Sequence, residues 1–181
     1  VSLAGTIESS KAATAITIRD ASTVTLSGDL KATNSGGAIA IGASGGDAIT
    51  GAITQTGGKV TAGDLLTIVG SSNTVSLTQN TNNVGRITSS STGALTYVDA
   101  DSVTLEDISA SGNVNVSTVA ATGDIMVDSV VAASNTITLT AGDEVKESGS
   151  GDACLDIRAA TLDLNAVGGI WGGTTTTNET L

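Results

Sequence analysis

The chain has 181 residues, enough for one domain, and more than half of them are Ser (21), Thr (29), Ala (24) or Gly (23). It has no His, Pro or Phe, a single Cys, and a formal net charge of −11. This composition excludes His-dependent nucleophilic catalysis and an intramolecular disulfide, and it argues against nucleic acid or anionic lipid as a partner. No run approaches 18 consecutive apolar residues, so no membrane insertion is predicted.

Short segments with apolar residues at every second position recur along the whole chain, and this is the period of a β-strand. In chain order they are Ile16/Ile18, Val24/Leu26, Ile39/Ile41, Val75/Leu77, Val103/Leu105, Val114/Val116, Ile125/Val127, Ile137/Leu139, Leu155/Ile157 and Leu162/Leu164. Clusters of Gly, Asn, Asp and Ser separate them and indicate turns, as at residues 34–37, 71–73 and 149–152. Val, Ile and Thr abound while helix formers are scarce, so we predict an all-β fold.

An internal repeat of about eleven residues begins at Val103. Its successive strands start at Val103, Val114, Ile125 and Ile137. Each later strand follows an Asn or Asp, and two of these follow a Gly expected to turn the corner in left-handed geometry: Asn113, Asp124 and Asn135, with Gly112 and Gly123. Such a unit cannot bury its own apolar face, so we expect it to stack on copies of itself as a solenoid, two units to a coil.

A β-sandwich is the main structural alternative, since it also combines short strands with frequent turns. A sandwich core normally includes aromatic side chains, and this chain has one Trp, one Tyr and no Phe. The small branched aliphatics favour a β-helix of about eight coils, roughly 40 Å long at ~4.8 Å per coil. We predict one solenoid segment over residues 1–181, with 174–181 as an irregular tail.

Two stretches carry a resemblance to a known family: residues 53–58 leading to 61–66, and residues 82–85 leading to 92–99. With the eleven-residue units, they make most of the chain from Ile16 to Ile170 resemble the β-helical repeat region of filamentous-haemagglutinin-like exoproteins. Gram-negative bacteria export these large adhesins by two-partner secretion. The family's secretion domain, with its Asn-Pro-Asn-Gly signature, is missing from a chain without Pro.

The resemblance implies a right-handed parallel β-helix at the surface of a Gram-negative bacterium, used as a rigid stalk or fibre. We therefore expect a non-catalytic structural or adhesive segment of a longer repeat protein. Its expected partners are a second copy end to end, neighbouring coils of a longer chain, and glycans or proteins of a host or neighbouring cell. No cofactor and no catalytic residue are predicted.

A polysaccharide-acting β-helix enzyme is the alternative from another class, because a glycosidase needs only two acids in a cleft. Four pairs of acidic residues occur, at Asp99/Asp101, Glu106/Asp107, Asp143/Glu144 and Asp152/Asp156. One Tyr and one Trp cannot line a saccharide cleft, so we interpret these acids as solvated turn residues. Weak calcium binding at turns is left as a further alternative.

An ice- or water-ordering solenoid is a third alternative, since stacked outward threonines can hold ordered water. Thr17, Thr25, Thr104 and Thr138 occupy such middle positions of strands. Equivalent positions hold other residues, which would break the column: Asn115, Met126, Asp156 and Asp163.

The remaining candidate sites are single residues. Cys154 is expected to be a small buried thiol. Trp171 is a candidate stacking contact, either over its own coil or against the next subunit. Glycosylation sequences or acceptors occur at Asn115, Asn178, Thr174, Thr175, Thr176 and Thr177. The glycine-rich stretches 36–37 and 42–46 lack the P-loop Lys and are expected to be corners of coils.

Overall fold

The structure, a computed structural model, describes residues 1–43, 47, 49–70, 73–129, 131–148 and 157–171. Its secondary structure consists of twenty strands in two parallel sheets, and these residues contain no helix. Each strand pairs with the strand one coil away along the chain. The predicted all-β solenoid is thus confirmed, with about seven turns between the first and last coils.

The first sheet contains eight strands, one from each successive coil. They are β1 (Ser2–Leu3), β4 (Val24–Leu26), β7 (Ile53–Gln55), β9 (Val75–Leu77), β11 (Leu95–Asp99), β13 (Val114–Thr118), β16 (Thr136–Ala141) and β19 (Thr161–Ala166).

The second sheet contains twelve strands, eight of them in one continuous row. The row is β2 (Ile7–Ser9), β5 (Leu30–Ala32), β8 (Val60–Val69), β10 (Asn83–Thr92), β12 (Val103–Ala110), β14 (Ile125–Val127), β17 (Glu144–Glu147) and β20 (Gly169–Trp171). Four further strands extend it sideways: β3 (Ala13–Ile18), β6 (Gly37–Ile41), β15 (Val131–Ala133) and β18 (Ile157–Arg158). The long strands join the row to this extension, since β12 pairs with β14 through its first residues and with β15 through its last.

The eleven-residue repeat alternates between the two sheets. Val103 pairs with Ile125 in the second sheet, and Val114 pairs with Ile137 in the first. One coil therefore contains two repeat units, as the spacing predicts.

Aliphatic ladders fill the interior because alternate residues of every strand point inward. One ladder of the first sheet is buried at each of its central coils: Val24, Ile53, Val75, Leu95, Val114 and Ile137. The neighbouring ladder includes two polar side chains, Gln55 and Tyr97, and both are buried. The second sheet adds ladders of its own, such as Leu105 on Val127.

Glycine is required at these corners for a reason other than the expected left-handed geometry. Gly112 and Gly123 do not have positive φ, so the expectation of left-handed geometry is wrong at both. They are required instead because a Cβ would collide with the neighbouring coil; at Gly123 it would lie 2.7 Å from the Asp101 carbonyl oxygen. Close stacking of coils, rather than backbone handedness, selects glycine here.

Candidate functional site

The outer face of the first sheet carries a column of polar side chains, most of them hydroxyl groups. One outward-facing residue of each strand contributes to it, and parallel pairing sets these residues one above another: Ser2, Thr25, Thr54, Ser76, Thr96, Asn115, Thr138 and Asp163. Its first seven members are uncharged, and five of those are consecutive Ser or Thr. Neighbouring members lie roughly 4.8 Å apart, the spacing of adjacent strands.

A second column lies two residues further along the same strands. Val98, Ser117, Thr140 and Asn165 are in register. In three earlier coils the corresponding position follows the strand directly and is an exposed hydroxyl residue: Ser27, Thr56 and Thr78. We call the two columns together the hydroxyl face; four of its coils, at residues 25/27, 54/56, 76/78 and 138/140, have Ser or Thr at both positions.

The hydroxyl face contains only two of the four threonines that the sequence analysis placed in one outward column. Thr25 and Thr138 lie in its first column, but Thr104 lies on the second sheet, and Thr17 lies on β3. Met126, expected to interrupt the threonines, pairs with Thr104 on the second sheet. The members of the hydroxyl face that lack a hydroxyl group are Val98, Asn115 and, in the last coil, Asp163 and Asn165. Asp156 lies outside the described residues.

Ion pairs are concentrated on the second sheet instead. Arg86 bridges two coils, with its guanidinium 2.7 Å from both Asp64 and Glu106. Lys146 contacts Asp124 at 2.6 Å and Glu144 at 2.9 Å. These carboxylates raise the pKa of Arg86 and of Lys146 above their usual values. The two outer faces therefore differ, one charged and one almost neutral.

The paired carboxylates do not face each other across a cleft. Asp99 is fully buried whereas Asp101 is exposed, so the interpretation of these acids as solvated turn residues is wrong for Asp99. Glu106 is bound to Arg86, and Glu144 is bound to Lys146. The Asp152/Asp156 pair lies outside the described residues, and so does Cys154. Among the residues that the structure describes, no three His, Cys, Asp or Glu side chains are grouped so as to hold a metal ion.

A shallow groove of about 490 Å³ runs along the ends of β12 and β15. Alanine and serine residues line it together with Arg158. Its described lining contains neither a carboxylate nor an aromatic ring, so it offers no acid pair to a glycosidic bond.

A polar cluster that the sequence pattern did not reveal lies inside the solenoid. Gln55 and Asn82 exchange two amide hydrogen bonds, of 2.8 and 2.9 Å. The Asn82 Oδ1 atom also accepts the N–H of Val60 at 2.9 Å. At the start of β8, a side chain thus accepts the first main-chain N–H. At other strand starts a main-chain carbonyl group does so; the N–H of Leu30, for example, donates to the carbonyl oxygen of Lys59.

Asp99 has the same role one coil later. Its Oδ2 atom accepts the N–H of Val84 at 3.1 Å and the Tyr97 hydroxyl at 2.5 Å, and its Oδ1 atom accepts the N–H of Asp101. Burial raises the pKa of Asp99 from 3.8 to about 6 and outweighs these donors, which favour the charged form. Burial and the adjacent carboxylate raise the pKa of Tyr97 well above its usual value.

The other candidate residues are scattered. Asn115 is half-buried within the hydroxyl face. Trp171 ends β20 with 56% of its surface exposed, and its ring lies over Gly169, where a Cβ would come 3.0 Å from the indole nitrogen. Thr174, Thr175, Thr176, Thr177 and Asn178 lie outside the described residues.

No match was found for the chain among protein-family models, curated proteins or solved structures. Across the described ranges there is no helix long and apolar enough to span a membrane.

Proposed function

We propose that the chain is a non-catalytic structural and adhesive segment of an extracellular β-solenoid. The observation that carries this proposal is the uninterrupted parallel stack: about seven turns share one buried interior and two continuous outer faces. A stack in which every coil is paired to the next supplies length and rigidity. The resemblance to filamentous-haemagglutinin repeats supports a stalk or fibre at the surface of a Gram-negative bacterium.

The rival enzyme function is tested by incubating the chain with a panel of acidic and neutral glycans and measuring both binding and turnover. We expect surface attachment or binding without turnover. The double variant Glu106→Gln/Asp107→Asn removes one acid pair on the second sheet, and Thr104→Ser on the same strand is its matched control. Saturable turnover that the double variant abolishes and Thr104→Ser retains would overturn the non-catalytic proposal.

The hydroxyl face favours one second candidate function, the ordering of water at an ice surface. Its first column is uncharged over seven coils, the first five of them with Ser or Thr, and hydroxyl groups repeated at one spacing are able to bind a row of ordered water molecules. The uncharged character matters because a charged side chain would impose its own hydration.

Inhibition of ice recrystallisation measures this second function directly. Thr54→Lys and Thr96→Lys place charges in the middle of the column, and Thr104→Lys places the same charge on the other sheet. We expect the wild-type chain and Thr104→Lys to be active and the two column variants to lose activity. Equal activity in all four proteins, or none in the wild type, excludes the hydroxyl face as an ice-binding surface.

A further inference from the structure

The buried Asp99 carboxyl group ties together three segments of the stack. It accepts one hydrogen bond each from β10, through the Val84 N–H, from β11, through the Tyr97 hydroxyl, and from the next turn, through the Asp101 N–H. The side chain has no exposed surface. The Asp99 carboxyl group therefore accepts hydrogen bonds from both sheets and from the turn that follows β11.

This arrangement differs from the other corners of the solenoid. The N–H of Leu30 donates to the Lys59 carbonyl, and the N–H of Val103 donates to the Asp124 carbonyl. Main-chain acceptors do not titrate, so these two hydrogen bonds do not themselves depend on pH. Carboxyl groups do accept main-chain N–H groups at two other positions, Asp29 from Lys59 and Asp124 from Glu144, but both acceptors are partly exposed and each is paired with a lysine ammonium group. Asp99 is instead fully buried.

We propose that Asp99 is a pH-sensitive latch in the middle of the solenoid, closed when its carboxyl group is protonated and loosened when the group is ionised in its dry surroundings. The device goes beyond the proposed structural function and does not rest on it.

The groups that face Asp99 set the direction of the effect. Tyr97 is uncharged, and its hydroxyl donates to the carboxyl group, as the N–H groups of Val84 and Asp101 do; these donors favour the ionised form, whereas the acidic side chain of Asp101 disfavours it. Val84 on β10 carries no charge, and neither does Thr118, which pairs with Asp99 from β13. Burial has the largest effect on the pKa of Asp99, and none of these neighbours is a cation that would compensate for the carboxylate charge.

The sign of the pH dependence follows from linkage. Because the pKa of Asp99 is about 6 in the folded state and 3.8 when exposed, the folded state binds the proton more tightly. The stabilising contribution is full below about pH 4 and is lost as the pH rises through 6. The latch is therefore closed in mildly acidic medium and weakest above pH 6.

Hydrogen exchange of the Val84 amide, corrected for the intrinsic exchange rate at each pH, measures the latch. We expect its protection to fall about tenfold between about pH 5 and pH 7.5, because each unit of pKa difference is a factor of ten in the opening equilibrium. The Val103 amide, which donates to a main-chain carbonyl, is the internal control. Its protection is expected to change less.

Three variants separate the latch from a general effect of charge. Asp99→Asn keeps an acceptor but does not titrate, so the protection of Val84 becomes independent of pH. Asp101→Asn removes a nearby exposed carboxylate and retains the pH dependence. Tyr97→Phe removes a donor to the ionised group, so the transition moves to higher pH.

The result that overturns the proposal is a pH dependence at Val84 that is the same in the wild type and in Asp99→Asn. If Asp99→Asn does not fold, an unchanged transition in Tyr97→Phe overturns it equally.

Discussion

The side of a strand on which a residue lies decides what its replacement does to stability. Val116 stacks on Leu139 inside the solenoid and is 2% exposed, whereas Thr138, next to Leu139 in the chain, points outward. We expect Val116→Asp to lower the free energy of unfolding by about 3–5 kcal/mol, because it places an unpaired charge in a dry interior.

The matched outward variant is Thr138→Lys, which is expected to change the free energy of unfolding by about 0.5 kcal/mol or less. Chemical denaturation of the two variants and the wild type provides the comparison. Indistinguishable unfolding midpoints for the two variants would contradict the assignment of inner and outer faces.

Ser89 is a second residue whose position determines an energetic effect. It is fully buried in a ladder between Ile68 and Ile108, and its hydroxyl oxygen has no hydrogen-bond partner among the described atoms. Because an unsatisfied buried polar group costs about 1–3 kcal/mol, we expect Ser89→Ala to raise the free energy of unfolding by about 1 kcal/mol.

The control for this change is Ser117→Ala on the hydroxyl face, which is expected to have almost no effect. Both free energies are obtained from denaturant titrations. A loss of stability in Ser89→Ala would show that its hydroxyl group is satisfied after all.

Among the elements, the turn after β6 is constrained both by its backbone geometry and by the adjacent coil. Gly42 has φ +83°, and a Cβ there would collide with the Val69 carbonyl oxygen of the next coil. We expect Gly42→Ala to destabilise the fold by more than about 1 kcal/mol, since it combines unfavourable backbone geometry with a main-chain clash.

Gly5 is the matched control because a Cβ there meets nothing within 4 Å and its φ is not positive. Thermal unfolding of Gly42→Ala and Gly5→Ala compares the two positions. Equal melting temperatures would mean that the turn rearranges without cost.

At the scale of the whole molecule, the two ends of the described stack expose apolar residues and strand edges. Val1 and Ile7 are exposed in the first coil, and Leu162, Ile170 and Trp171 are exposed in the last. Leu3 and Leu164 are the first and last members of one inward ladder of the first sheet. When a second copy stacks on the end of the first, Leu3 of one copy meets Leu164 of the other. Open strand edges of this kind accept further strands, and head-to-tail contact without closure produces a fibre.

We therefore expect the 181-residue chain in isolation to form thin filaments with a coil spacing of about 4.8 Å, seen by sedimentation and electron microscopy. The acidic surface opposes side-by-side contact, so filaments should bundle as salt is raised. Ile170→Lys is expected to weaken association, and Thr138→Lys is its control in the middle of the stack. A strictly monomeric particle at high micromolar concentration would contradict the prediction.

The alternation of apolar residues, the eleven-residue spacing and the small aliphatic composition were sufficient to determine the solenoid fold. They indicate whether a side chain lies on the inner or the outer face of its sheet, because successive side chains of a strand point to opposite faces. The buried position of Asp99 was also accessible, since Leu95, Tyr97 and Asp99 stand two residues apart and therefore share one side of β11.

Only the tertiary structure decided which sheet each strand joins outside the eleven-residue repeat and which residues form a column. Thr17 and Thr25 have the same local pattern, yet they lie on different sheets, because β3 belongs to the sideways extension of the second sheet whereas β4 belongs to the first sheet. The same holds for the polar cluster: Asn82 reaches Gln55, and Asp99 reaches Val84, through pairings between coils. Such contacts depend on how successive coils align, which strand periodicity does not specify.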